Sequence, residues 1–246
     1  MASPPEQAAK KAFLDELKKK YPTIEKLNDA WDTSHESWLA LAESRTPPDE
    51  RKAKEDLAAF YTKIAEAYFR HCRDAVKQVA PDNLYLGCRF AWVNERGVQA
   101  AAKYCDVIGY NLYRDDVAGF ELPGGLDKPV IIGEFHFGAL DRGMFHTGLR
   151  PTASQEGRAN AYRNYVTGAL ENRYFVGTHW FQFGDQATTG RGDGENYQIG
   201  LVDICDKPYP ETIEAVREVG RSMYETRMHA GATDPQMESV PTARGT

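Results

Sequence analysis

Two spacings of apolar residues divide the chain. Up to about residue 80 they recur at helical intervals. Ala8, Ala12, Phe13 and Leu17 share one face of a helix predicted over 5–21. A second short helix is expected over 23–31, with Pro22 before it and Thr23 as its cap, and a further helical turn over 35–44. Pro47-Pro48-Asp49 opens a long helix to about 79, in which Leu57, Phe60, Ile64, Ala67, Tyr68, Cys72, Ala75, Val76 and Val79 keep the spacing. Beyond Pro81 the apolar residues come in short runs. These predict strands over 84–90, 106–112, 129–135 and 174–183, with helices over 94–104, 155–172 and 211–228 between and after them. The β-branched run Val130-Ile131-Ile132 reads as a strand buried on both faces, as in a parallel sheet.

Strands alternating with helices imply a parallel α/β sheet, and the long loops, 136–155 and 183–209, both follow strand C-termini. That asymmetry is the habit of a (β/α) barrel, whose active site is built from such loops. A closed barrel needs eight strands, whereas the pattern yields four. The organisation expected is a helical segment over 1–80 leading into the barrel, barrel strands and helices over 81–228, and a polar, disordered tail over 229–246.

The totals narrow the class. The chain has 246 residues, 41% of them hydrophobic, enough for a sizeable core. A net charge of −6 gives no electrostatic case for nucleic acid. No apolar run approaches the length that spans a membrane. The N-terminus lacks the basic start and apolar centre of a signal peptide. Cys72, Cys88, Cys105 and Cys205 have neither metal-ligand spacing nor a disulfide framework, and read as four buried, reduced thiols.

Chemistry gathers at the strand ends. The third strand ends in Glu134-Phe135-His136, and a carboxylate there, flanked by aromatics, fits a catalytic group better than a core. The other three end in Arg89-Phe90-Ala91-Trp92, Tyr110-Asn111-Leu112-Tyr113 and His179-Trp180-Phe181-Gln182. Aromatic faces stack on sugar rings, while amides and imidazoles bond hydroxyls, so these residues suit a sugar site. Glu134 is the nucleophile candidate, with Arg89 and Tyr110 expected to keep it ionised. A retaining glycosidase also needs a second carboxyl roughly 5 Å away. Glu95 follows an asparagine, as the acid/base does in many such enzymes, but only one strand separates it from Glu134. It reads instead as a carboxylate in the first turn of the 94–104 helix, favoured by the helix dipole.

The run from Ile132 to Gly148 closely resembles the β-agarases of glycoside hydrolase family 50. So do Val176 to Gln182, Asp185-Gln186, Thr188 to Arg191 and Glu195 to Gly200. The resemblance covers nearly the whole chain from Ala8 to Tyr224. It implies the C-terminal half, strands five to eight, of a (β/α)8 TIM barrel of clan A, preceded by helices. The implied activity is retaining hydrolysis of β-1,4 bonds in agarose or its oligosaccharides, with no metal or organic cofactor. Glu134 falls on the family's nucleophile. His136, Tyr110, His179 and Trp180 fall in its sugar-binding cleft, and Arg89, Asn111, Gln182, Asp185 and Asn196 are taken as further substrate-binding residues.

The family's acid/base follows strand four and is absent from this chain. Two readings therefore stand: a partial catalytic domain, or a carbohydrate-binding remnant without a proton donor. A half barrel exposes two sheet edges, so a second copy, an N-terminal half or a covering helix is expected there. No membrane partner is implied, and relatives are usually secreted or periplasmic.

Overall fold

The computed structural model describes residues 2–232. Packing divides the chain into two compact units, with the division between His71 and Cys72.

The first unit is helical. It contains α1 (Ala8–Lys20), α2 (Ile24–Trp31), α3 (Trp38–Glu43) and the start of α4 (Lys54–Val79). Phe13, Leu14, Leu17, Ile24, Leu27, Trp31, Leu41 and Ala53 form its core. Asp56 is buried within it, and accepts from Trp31 Nε1 at 2.8 Å, Tyr21 Oη at 2.8 Å and Lys20 Nζ at 2.6 Å, so the carboxylate is fully partnered. Thr23 takes the cap position of α2 with extended backbone, but its side chain makes no cap bond. The long helix begins at Lys54 rather than at Asp49. The Asp49 carboxylate and carbonyl collect the N–H groups of Arg51 (2.8 Å) and Ala53 (3.0 Å) into a turn of their own. Its predicted apolar stripe is only partly used, since Ile64, Tyr68 and Val79 are exposed.

The second unit holds one four-stranded sheet in the order β1 (Arg89–Phe90), β2 (Ile108–Asn111), β3 (Val130–Phe135) and β4 (Phe175–Trp180), all parallel. Helices α5 (Glu95–Tyr104) and α6 (Gln155–Glu171) connect strands, and α7 (Pro210–Ala232) packs on α6. Asn94 and Ser154 cap α5 and α6 by accepting from Gly97 N at 3.0 Å and Gly157 N at 3.1 Å. Glu95 sits in the first turn of α5, as expected, and accepts from Gln99. A short 3-10 turn, Pro123–Gly125, lies in the connection before β3.

β1 is far shorter than the predicted 84–90. Gly87 adopts φ of 65°, outside strand geometry, and Tyr85 pairs instead with Asp106, whose carboxylate accepts its N–H at 2.7 Å. Residues 229–232 continue α7 rather than joining a tail; the rest of the predicted tail lies outside the described residues. The cysteines are all free, as expected. Only Cys105 is buried, however; Cys72 and Cys88 are half-buried and Cys205 is exposed.

A register shift in β3 decides what faces where. Along β2, Ile108, Tyr110 and Leu112 enter the core. Along β3, Val130 and Ile132 are core, but so are Phe135 and Phe137, which have the opposite parity. The extra residue is Gly133. Tyr110 pairs with Ile132 and Asn111 with Glu134, leaving Gly133 as a bulge. A β-carbon there would lie 2.9 Å from Arg89 Cγ and 3.0 Å from Asn111 Oδ1. The bulge turns Glu134 and His136 away from the core that Phe135 fills, stacked on Tyr165 at 4.3 Å.

Candidate active site

Glu134 stands at the C-terminal end of β3 with both oxygens engaged. Arg89 Nη1, from the first residue of β1, lies 3.0 Å from Oε1, and the Tyr113 hydroxyl donates to Oε2 at 2.8 Å. Burial, and then the bond to Glu134, push the Tyr113 phenol far above its usual range, so it remains a donor. Beside Glu134 opens a cavity of about 620 Å³, lined among others by Trp92, Asn111, Tyr113, His136, Arg191, Glu195 and Tyr197. Its size and its mixture of rings and polar groups suit a small organic ligand.

The residues singled out from the sequence separate. Glu134, Asn111 and His136 line the cavity, and Arg89 meets Glu134. Tyr110 does not: it is buried, edge-on to Phe90 and Phe120, and Tyr113 supplies the hydroxyl expected of it. Trp180 packs edge-on against Phe135 and donates from Nε1 to Ile199 O at 2.8 Å. His179 is exposed on β4, outside the lining. Gln182 Nε2 donates to Gly184 O at 3.1 Å. Asp185 organises its own loop, accepting from Ile199 N (2.9 Å), Gly200 N (2.7 Å) and Tyr209 Oη (2.6 Å). Asn196 is half-buried beside Glu195, also outside the lining.

Three further residues contribute: Tyr113, already noted at a strand end, Glu195, which the sequence offers beside Glu95 as a possible second carboxylate, and Arg158, which the sequence reading missed. Tyr113 shares the parity of Asn111, two positions on, and that alternation was its signal. Glu195 enters the cavity wall held by Gln186 Nε2 at 2.8 Å and Arg191 Nη2 at 3.0 Å. Arg158 lies beneath the site, wholly buried in α6. Its Nε donates to Phe137 O at 2.7 Å, its Nη1 to Gln155 Oε1 at 3.2 Å, and its Nη2 to Gly200 O. The guanidinium lies 5.3 Å from the centroids of both Trp180 and Tyr209. One side chain thus ties α6 to both long loops.

His136 is a pin between backbones. Its Nδ1 lies 3.1 Å from Phe181 O and its Nε2 accepts from Leu149 N at 2.8 Å, which fixes the neutral tautomer with the proton on Nδ1. Burial lowers its pKa from the ordinary 6.5 to about 4. The unfolded chain therefore takes up this proton at higher pH than the folded one. The contribution of His136 to stability is complete above about pH 6.5 and is lost as pH falls toward 4, by roughly 3 kcal/mol. Urea unfolding at about pH 7 and about pH 4.5 should show that loss, and His136→Asn should flatten it; an equally steep loss in the variant assigns the pH dependence to other groups.

Among the described residues no group of His, Cys, Asp and Glu is placed to hold a metal ion. No helix there is long and apolar enough to cross a membrane.

No family model matches the chain. Individual proteins do. The β-agarase B of Vibrio sp. (strain JT0107) is 43% identical over 227 residues, which is 89% of this chain and 24% of that protein. The chain is similar to β-agarases. A solved agarase is 43% identical with a TM-score of 0.84, over 89% of this chain and 32% of its own. The structure of an exo-β-agarase is 40% identical with a TM-score of 0.86, over 92% and 32%. The chain thus spans about a quarter of the curated β-agarase and about a third of the solved ones. Its parallel α/β sheet has the same course as the corresponding part of these agarases.

Proposed function

We propose that this chain carries the nucleophile side of a retaining glycoside hydrolase acting on β-1,4-galactosidic bonds of agarose-type galactan or its oligosaccharides. The observation that carries this reading is Glu134, held at both oxygens by Arg89 and Tyr113 and facing an open cavity of rings and amides. Similarity to β-agarases supports the choice of sugar. We read the sheet as strands five to eight of a (β/α)8 barrel of clan A, and the chain as a partial catalytic domain. The outer strands β1 and β4 are then the edges at which an N-terminal half, or a second copy, completes the barrel.

In this reading Glu134 attacks the anomeric carbon as the bond to the leaving oxygen breaks. That oxygen takes a proton from an acid/base supplied from outside this chain. Water then hydrolyses the glycosyl ester, giving up its proton to the same group. Tyr113 and Arg89 orient the attacking carboxylate, and Asn111 lies beside it in the wall.

One observation favours binding without turnover. Glu195, a carboxylate on the cavity wall, is taken up by Arg191 and Gln186 rather than free to meet a glycosidic oxygen. The two readings part on an activated aryl β-galactoside, whose leaving group needs little protonation, run beside agarose oligosaccharides. Turnover of the galactoside in preference to the matching β-glucoside supports the hydrolase. A folded chain that binds the oligosaccharides and releases no aryl group from either glycoside supports the binding reading.

A further inference from the structure

The rings on the cavity wall can be accounted for one at a time. Tyr113 holds Glu134. His136 spends both nitrogens on backbone groups. Phe181 carries the Arg191 guanidinium 5.8 Å from its centroid. Tyr197 stacks on His146 at 4.7 Å. Trp92 is left over. Its indole is 96% exposed, just beyond β1, and it has no ring or hydrogen-bond partner among the described residues. Indole is the largest apolar surface a side chain can offer, and leaving it in water is costly unless something covers it.

The surroundings say what covers it. Trp92 faces the cavity together with Asn111, Arg114, Arg191 and Glu195, groups that donate to or accept from hydroxyls. An indole face beside such groups matches a pyranose ring, apolar on its C–H face and polar at its rim. A seat for an apolar protein segment would be lined mainly by aliphatic side chains, whereas here Ala91, Leu112 and Leu149 are outnumbered by rings and polar groups. We propose that Trp92 is a binding platform of this cavity, stacking on a pyranose ring of a bound galactan oligosaccharide. This rests on the reading of the cavity as a galactan site.

The test uses the indole itself. Four tryptophans emit, and the acrylamide-quenched component lost in Trp92→Phe belongs to Trp92. The full chain is titrated with an agarose-derived tetrasaccharide, and binding is followed in parallel by calorimetry. The expected result is a blue shift and an at least about twofold fall in quenching of that component, with affinity weakened about tenfold in Trp92→Ala. Circular dichroism checks that the variant, altered only at an exposed side chain, stays folded.

Calorimetric binding with no shielding of Trp92 and unchanged affinity in Trp92→Ala overturns the platform and leaves the galactan reading standing. No heat of binding at millimolar sugar overturns both. Emission already shielded without sugar, and released on dilution, overturns the platform in favour of a contact between copies of the chain.

Discussion

Replacing Glu134 with glutamine is expected to lower turnover of an activated aryl β-galactoside by at least about 10⁴-fold with the fold intact, the scale seen when a covalent nucleophile is removed. The substitution is nearly isosteric, but the new amide has one acceptor oxygen where the carboxylate has two, so either Arg89 or the Tyr113 hydroxyl loses its acceptor. Tyr113→Phe should cost less, about 10²-fold, since it removes one donor and leaves the carboxylate. Aryl release followed by absorbance measures both. Adding azide to Glu134→Ala separates nucleophile from bystander. A small anion entering the vacated space should displace the aryl group and give the α-glycosyl azide. Turnover by Glu134→Gln within tenfold of the unaltered chain would remove Glu134 from the mechanism.

Arg158→Ala is expected to cost about 3–5 kcal/mol of stability, the largest loss of any single substitution outside the hydrophobic core. The guanidinium is buried and, among the described residues, has no salt bridge. Burial lowers its pKa to about 10, opposed first by Asp185, so it is still charged at neutral pH. Truncation would leave the carbonyls of Phe137 and Gly200 and the Gln155 amide oxygen without that donor, and would open a gap between Trp180 and Tyr209. Lysine cannot reproduce the planar fork or the double stacking, so Arg158→Lys should still lose about 2 kcal/mol. The urea midpoint reads both, and a loss below about 1 kcal/mol for Arg158→Ala would show that the loops hold without it.

The parallel sheet and the position of Glu134 were legible because they rest on local signals. A proline followed by β-branched residues marks the strand, and a carboxylate at its end stands out against the apolar run. The helices predicted over 94–104 and 155–172 are present as well, and the structure adds Asn94 and Ser154 as their caps. Residue facing was less legible. Tyr110 and Trp180 are aromatic residues at strand ends, as suited to a sugar as to a core, and which they join depends on parity. Parity is broken at Gly133 by a bulge that no composition announces. Asp185 and Arg158 were opaque for another reason. Their partners are backbone groups far along the chain, and a carbonyl or amide carries no residue identity to read.

Gly133 also sets a rule for how this strand can change over generations. Upstream of it, even-numbered side chains enter the core; downstream, odd-numbered ones do. Substitutions at many positions leave that arrangement alone. Loss of one codon at the bulge does not: it would swing Glu134 toward Tyr165 and bring Phe135 into the opening where sugar is expected. The segment should therefore drift in composition while staying fixed in length, a reading-frame-like constraint imposed by geometry.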